Sequence, residues 1–396
     1  MKIGKLFKGD KIIWVVFFLL SIFSLVEVYS SIGLFAYSSS GGAHPTGLFL
    51  KHLLIVVATW GVVVLLSRVN YRYFSRFAML GYWASLVLLG IMLALHGRWF
   101  RIPVIGQFQP SEIAKVVLVV FVARLLALKK DQIGELSTFI MVLLSIVAVV
   151  VFVLPGNFSM AALIFLSCYL MMILGGVNRK YWWRLLIVLV AVVGVAMFVM
   201  IKTGEHSSVL ERSETWSNRV DHWLHPDNEL LTQENMAKMA IARGGVFGVG
   251  IGNTVHARLM TQAHNDFIYA VIIEETGMVG GIIVFLLYSI FYFRCVRLAR
   301  RCKGRFGALT VAGMGTVIYL QALVNMSVAV GALPVTGQTL PFISYGGTAY
   351  LFLGCGLGVI QSVAVDVYSK EADGESQPVD DVEQLPDETE EDGEKN

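Results

Sequence analysis

Three polar residues, His264, Asn265 and Asp266, stand immediately before a long apolar run, and an aspartate in that position offers two kinds of chemistry. Asn and Asp are preferred helix N-caps, and the local sequence by itself favours that role. A carboxylate facing a cavity at the edge of an apolar layer can instead have its pKa raised and act as a base toward a hydroxyl. Glu112 and Lys115, three residues apart at the start of another apolar run, fall on one helix face. They can neutralise each other as a buried ion pair or serve a ligand, and the spacing leaves both open. Just upstream, Arg98, Trp99 and Arg101 bring together two guanidiniums, groups suited to gripping phosphate oxygens. Further along, Asn325 to Ala349 puts prolines, glycines and hydroxyls where a lipid-facing helix would have leucine. Its centre bends at Pro334 and Pro341, exposes Thr336, Gln338 and Thr339, and runs through Ser344 into another apolar stretch.

The elements that must position these residues follow from composition. The chain has 396 residues, 56% hydrophobic and only 15% charged, with a mean hydropathy of +0.69. That apolar surface exceeds what a soluble core hides and makes the chain a polytopic membrane protein. A spanning helix needs about 20 mainly apolar residues. Runs of that kind lie near 12–35, 50–66, 77–95, 110–128, 136–154, 158–175, 183–201, 266–293, 307–331 and 343–366. Basic residues occupy every second connection: the lysines before residue 12, then Arg68, Arg72 and Arg76, Lys129 and Lys130, Arg179, Lys180 and Arg184, and the cluster from Arg294 to Arg305. The expected architecture is all-α, with about ten transmembrane helices and both termini cytoplasmic. A large extracytoplasmic loop, 202–265, then lies between the seventh and eighth helices.

The domain reading is a membrane domain over 1–370 and an acidic cytoplasmic tail over 371–396, which lacks an apolar face to fold around. The lysine-rich start resembles a signal peptide, but no small-residue cleavage site follows, so it reads as an uncleaved first span. The four cysteines, Cys168, Cys295, Cys302 and Cys355, have neither disulfide nor zinc-ligand spacing.

Within the long loop, Thr232 to Arg243 reads as a capped helix, followed by the glycine run from Gly244 to Gly252. That run is no nucleotide loop, since neither a preceding strand nor a terminal Gly-Lys-Ser/Thr accompanies it. Close backbone packing against a neighbouring helix explains it, and Gly277, Gly280 and Gly281, better. Irregular backbone at membrane depth is tolerated only where protein buries it or it lines a wet cavity, so the segment from Gly331 reads as a re-entrant cavity lining. Glu274 and Glu275 lie about 80° and 180° round the helix from Asp266; at least one of them serves packing or the cytoplasmic end. Glu27, alone in the first span, reads as a buried hydrogen-bonding or charge-pairing group.

Four separated motifs carry a resemblance. They are Gln109-Pro110-Ser111-Glu112-x-x-Lys115; Ala242-Arg243-Gly244-Gly245-x-x-Gly248-x-Gly250; His264-Asn265-Asp266-Phe267-Ile268-x-Ala270; and Leu333-Pro334-Val335-Thr336-Gly337 continuing to Pro341-Phe342-Ile343-Ser344-Tyr345-Gly346-Gly347. In that order, in a ten-span frame, the chain resembles the SEDS family of FtsW/RodA-type peptidoglycan polymerases over nearly the whole membrane domain. It departs from the family at Leu154-Pro155-Gly156-Asn157-Phe158-Ser159-Met160, where an acidic turn residue is often found.

The resemblance implies polymerisation of lipid II into glycan strands at the outer face of the bacterial cytoplasmic membrane, during division or elongation. It also implies a class B penicillin-binding protein as transpeptidase partner and other membrane proteins of the division or elongation machinery. Asp266 matches the family position implicated as general base. Arg98, Trp99, Arg101, Glu112, Lys115, His264, Asn265, Thr336, Gln338 and Ser344 then become substrate-binding candidates. No cofactor is required by the sequence; the leaving diphosphate is compatible with a divalent cation, Mg or Mn. A lipid II flippase and a non-catalytic interaction protein of the division machinery are the competing readings. A transport path needs polar groups from face to face, whereas these candidates cluster toward one side.

Overall fold

The structure, a computed structural model, describes residues 7–38, 45–95, 100–102, 106–178, 180–181, 183, 219, 223, 232–256, 260, 263–345 and 347–373. The expected seventh span, most of the 202–265 loop, Arg98, Trp99 and the acidic tail after 373 lie outside them. Ten helices of more than one turn are described. They are α1 (Lys11–Ser38), α2 (Pro45–Leu66), α3 (Tyr71–Ala94), α4 (Pro110–Leu128), α5 (Leu136–Val153), α6 (Phe158–Leu174), α7 (Gln233–Gly244), α8 (Ile268–Arg301), α9 (Arg305–Ala329) and α10 (Thr348–Asp373).

Local sequence sets several of the starts. Asn70 caps α3 through Arg72 N at 3.1 Å, and Thr232 caps α7 through Asn235 N at 3.3 Å. Pro110 occupies the first turn of α4 together with Glu112, where a missing N–H costs nothing and a negative charge meets the positive end of the helix dipole. Asn157, inside the segment that departs from the family pattern, caps α6 through Met160 N at 3.0 Å.

Among the described residues seven helices, α1, α2, α3, α5, α8, α9 and α10, are long and apolar enough to cross a bilayer, which makes this a multi-pass membrane protein. Helices α4 and α9 run through the middle, buried on most sides. Helices α2, α3 and α5 turn Leu54, Val57, Leu80, Trp83, Leu144 and Val151 outward, as a lipid-facing ring should.

The all-α expectation holds for the helices described, and one connection adds a small hairpin. Phe100–Ile102 (β1) and Gly106–Phe108 (β2) pair as an antiparallel hairpin, with Phe100 opposite Phe108 and their rings stacked at 6.4 Å. Pro103 and Gly106 interrupt a helical run before Pro110, and the aromatic and β-branched residues beside them suit a pleated pair.

Helix α8 breaks at Gly277, whose φ of 75° and ψ of −175° lie in a region essentially reserved for glycine. The glycine run seats itself in the break. Val249 and Gly250 donate to the carbonyls of Glu274 and Glu275 at 3.0 and 2.9 Å, while Met278 N donates to Gly245 O at 2.9 Å and Val279 N to Val246 O at 3.3 Å. The peptide groups that the break would orphan are thus paired with the loop, as a membrane-embedded chain requires. A β-carbon at Gly248 would strike the Glu275 carbonyl, and one at Gly277 the Val246 carbonyl. The expectation of close backbone packing holds, and its reason is this hydrogen-bond exchange. The arm from Met278 to Arg301 is about 36 Å long at 1.5 Å per residue, enough to cross alone, so Glu274 and Glu275 sit at the break and not at the far end of a span.

Both glutamates satisfy loop groups there. Glu274 Oε1 takes Arg243 at 2.9 Å and the backbone of Val255 and His256 at 3.0 and 3.2 Å. Glu275 Oε1 accepts from Gly252 N at 3.1 Å and from the Ser30 hydroxyl of α1.

At the opposite end of the bundle Asp10 caps α1 through Ile12 N at 2.9 Å. Its other oxygen binds Arg294 of α8 at 2.6 Å and Tyr368 of α10 at 2.7 Å. The described start of the chain and the end of α10 therefore share one face, and the loops before α8 and α10 share the other.

Replacing Gly248 or Gly277 by Ala should destabilise the protein by more than about 1 kcal/mol, because each side chain meets both a positive φ and a backbone carbonyl. Gly61→Ala, which meets open space, should be neutral or slightly stabilising. Thermal unfolding of the three variants in detergent is the measurement; equal melting temperatures would refute the seated-loop account.

Candidate active site

Two amides one turn apart on α9 hold the site together. Gln321 accepts from Lys115 Nζ at 2.7 Å and donates to the Thr339 carbonyl at 3.0 Å. Asn325 donates through Nδ2 to the Asp266 carbonyl at 2.9 Å and to the Gln338 carbonyl at 2.7 Å. Lys115 is completed by Glu112 at 2.7 Å. A continuous polar chain thus joins α4, α9, the irregular 331–347 segment and the turn before α8.

The irregular segment is fixed from several sides. Ser344 Oγ donates to Asn265 O and accepts from Leu340 N, each at 2.7 Å, and Tyr345 N donates to His264 O at 3.0 Å. Ser24 of α1 donates to Ile343 O at 2.8 Å, and the Tyr288 hydroxyl reaches Pro341 O. Phe342 adopts a φ of 60°, an outlier for a bulky residue. Its ring is locked against Phe17 at 5.1 Å and Tyr350 at 5.6 Å.

Asp266 lies in the turn before α8, and the structure corrects the cap reading: the residue at the helix N-cap is Phe267, without a side-chain cap bond. The backbone of Asp266 is tied down through Asn325 while its carboxylate faces Gly337, where a β-carbon would come within 3.7 Å of Oδ2. Desolvation raises its pKa to about 6, against the opposing pull of the Arg219 guanidinium. Burial pushes His264 down to about 4, so its imidazole is neutral at physiological pH. Beside it, at 5.8 Å between ring centroids, the Tyr345 phenol is raised by burial.

The sequence candidates divide by position. Asp266, His264, Asn265, Thr336, Gln338 and Ser344 converge on one end of the bundle, and Glu112 and Lys115 join them through Gln321. Lys115 is only 1% exposed, with Glu112, Gln338 and Ser344 also buried. Thr336 is half-buried. The backbone of Arg101 lies in β1, while Arg98 and Trp99 are outside the described residues. The side-chain amide of Gln338 and Oδ1 of Asn325 are buried without a hydrogen-bond partner, a state natural interiors seldom tolerate unless a ligand or water completes it.

Gln321 and Arg219 escape the sequence reading, and Asn325 enters it only as the first residue of an irregular stretch. The available signal was the Gln-x-x-x-Asn spacing on an otherwise apolar helix, which puts two amides on one face. Arg219 Nη1 donates to Val335 O at 3.1 Å, and Trp223 Nε1 to Gly331 O at 3.0 Å, so residues of the long loop reach the same segment.

Comparison with known proteins places the fold. A probable peptidoglycan glycosyltransferase FtsW of Bacillus subtilis (strain 168) is 28% identical over 369 residues, covering 90% of this chain and 91% of that one. A chain from a structure on the coordination of polymerization and crosslinking by a peptidoglycan synthase complex superposes with a TM-score of 0.70 at 25% identity, covering 91% of this chain and 98% of that chain. The rod shape determining protein RodA of Thermus thermophilus shares the fold, with a TM-score of 0.63 at 23% identity over 91% of this chain and 98% of its own. The model of the FtsW/RodA/SpoVE cell cycle proteins matches residues 10–369, and the chain belongs to that family.

Proposed function

We propose that this chain is a peptidoglycan glycosyltransferase that polymerises lipid II at the outer face of the bacterial cytoplasmic membrane, with Asp266 as general base. The name of its FtsW relatives supports the activity, and the basic residues of alternate loops support the orientation. The remaining spans, the seventh included, complete a ten-helix bundle in this reading. The description of the family as cell cycle proteins supports a setting at the division septum, with elongation as the alternative.

One observation carries the assignment: a carboxylate with a pKa near 6, anchored by its backbone, beside buried amide groups that lack partners. A base with that pKa is ionised at neutral pH and still basic enough to accept a hydroxyl proton. Asp266 takes the proton of the acceptor sugar's 4-hydroxyl as that oxygen attacks the donor's anomeric carbon. The bond from that carbon to the diphosphate oxygen breaks in the same displacement, so the configuration inverts. The lipid diphosphate leaves with the electron pair and needs no general acid.

The other roles belong to the same proposal. Gln338, Asn265, His264 and Thr336 border the acceptor side and Ser344 shapes it; Arg98, Trp99 and Arg101 are assigned to the diphosphate. Lys115 and Glu112 act through Gln321, holding the 331–341 segment in register. A divalent cation, Mg or Mn, on the leaving diphosphate is compatible with this reading and would offset the charge building there. The solved peptidoglycan synthase complex supports a class B penicillin-binding protein as partner. A flippase would need polar groups through the bundle, whereas this network gathers at one end.

Asp266→Asn should leave the melting temperature nearly unchanged, since the carboxylate caps nothing, and reduce glycan polymerisation about 100-fold or more. Wild-type activity should fall as pH drops below about 6, because protonation removes the base. Gel analysis of strands made from purified lipid II across pH 5 to 9 reads both; near-normal synthesis by the variant would end the assignment.

Lys115→Met should cost about 3–5 kcal/mol by leaving Glu112 buried and unpaired. The double variant Glu112→Gln, Lys115→Met should recover much of that stability yet polymerise poorly, because Gln321 loses its donor and the segment its register. Full activity in a stable double variant would reduce the pair to packing.

A further inference from the structure

Among the described residues one cation is seated on the segment that the proposed base rests against, and it is not among the arginines that the sequence singled out. Lys115 is consumed by Glu112 and Gln321. Arg219 makes a single described hydrogen bond, from Nη1 to the Val335 carbonyl. That carbonyl lies two residues before Gly337, against which the Asp266 carboxylate rests. A guanidinium has five N–H donors in a rigid plane, and the described residues take up one of them. From this seat its field reaches Asp266.

We propose that Arg219 is a positioning residue for the reaction: anchored on the Val335 carbonyl, it keeps the Asp266 carboxylate in its ionised, proton-accepting form until the acceptor hydroxyl arrives. This rests on the assignment of Asp266 as base. The physical need is plain. A carboxylate moved out of water drifts toward its neutral acid, and a neutral acid cannot accept a proton. A salt-bridged carboxylate has the reverse fault, because a contact ion pair lowers its basicity too far. A cation held by a backbone carbonyl, acting through its field, lies between these limits and agrees with the balance of desolvation against Arg219 at Asp266.

The surrounding groups leave this task to Arg219. His264, on the same turn, is neutral at the working pH because burial lowers it to about 4. Tyr345, packed on His264, stays protonated because burial raises it. From α4 the Glu112–Lys115 pair presents no net charge, and α9 contributes only the neutral Gln321 and Asn325. Lys238 of α7 lays its stem against Gly331, and only Arg219 among the described residues registers as a charge on Asp266.

The test is the pH dependence of lipid II polymerisation by the purified full chain carrying Arg219→Gln or Arg219→Lys. Gln keeps an N–H for Val335 while removing the charge; Arg219→Met is a second charge-removing variant should the first not fold. Loss of the cation should raise the acid limb by about one pH unit. From a limb near 6, that lowers activity roughly fivefold at pH 6 with near-equal rates at pH 8.5. Lys should restore most of the low-pH activity. A uniform loss at all pH values, or a raised KM with an unshifted limb, would overturn the proposal in favour of substrate binding. A lowered melting temperature with an unshifted limb would overturn it in favour of scaffolding. Near-normal activity in Asp266→Asn would remove the base itself, a failure read in a different variant and so separable from any failure of Arg219.

Discussion

A peptide group in hydrocarbon has no water to turn to, and the described structure is organised around two places, Gly277 and 331–347, where regular helix gives way. At Gly277 the glycine run supplies the missing donors and acceptors, residue for residue, from another part of the chain. At 331–347 the backbone of the turn before α8 contributes one such bond among the described residues, from Tyr345 N to His264 O. Other work falls to side chains: Gln321 and Asn325 reach the carbonyls of Thr339, Gln338 and Asp266, and Ser344 reaches Asn265 and Leu340. Irregular backbone, which the bilayer forbids on its lipid face, thereby becomes available at one end of the bundle, where a polar substrate would have to be handled.

The arrangement also explains why a buried lysine is present at all. A charge in a low-dielectric interior is costly, and a pair compensates only when its remaining hydrogen-bonding capacity is used. Lys115 meets that condition by spending two of its donors on Glu112 and Gln321. The pair sets the orientation of the Gln321 amide: with its oxygen on Lys115, its nitrogen must point to Thr339. An ion pair on α4 thus dictates the register of a segment more than 200 residues away in sequence.

The far end of the bundle is held by the same kind of economy. Asp10 uses one carboxylate oxygen to cap α1 and the other to bind α8 and α10. Gln361 exchanges hydrogen bonds with the Asp10 backbone at 2.8 and 3.2 Å. Helices that carry the site at one end are therefore clasped at the other, which limits how far they can splay when the site admits its substrate.

Much was legible in the sequence, because membrane spans are written in composition and loop charge in local basic residues. Apolar runs, the helix start at Thr232 and the candidate aspartate all depend on residues near one another in the chain. The role of Asp266 was not decided locally, since an aspartate before a helix looks like a cap until Phe267 is seen to occupy that position. Nor could local sequence place Glu274 and Glu275, because their helix breaks for the sake of a loop that precedes it. The hairpin at Phe100–Phe108 was hidden by its brevity. The partners of Gln321, Asn325 and Arg219 lie on other helices or loops, so a single polar residue in an apolar run carried no sign of what it touches. From the residues alone one reads apolar runs long enough to span a bilayer, seven of which appear as such helices among the described residues, and the side chains that have chemistry to offer. Tertiary structure alone decided which of them meet, because the pairing of buried polar groups is settled by long-range contacts that no local pattern encodes.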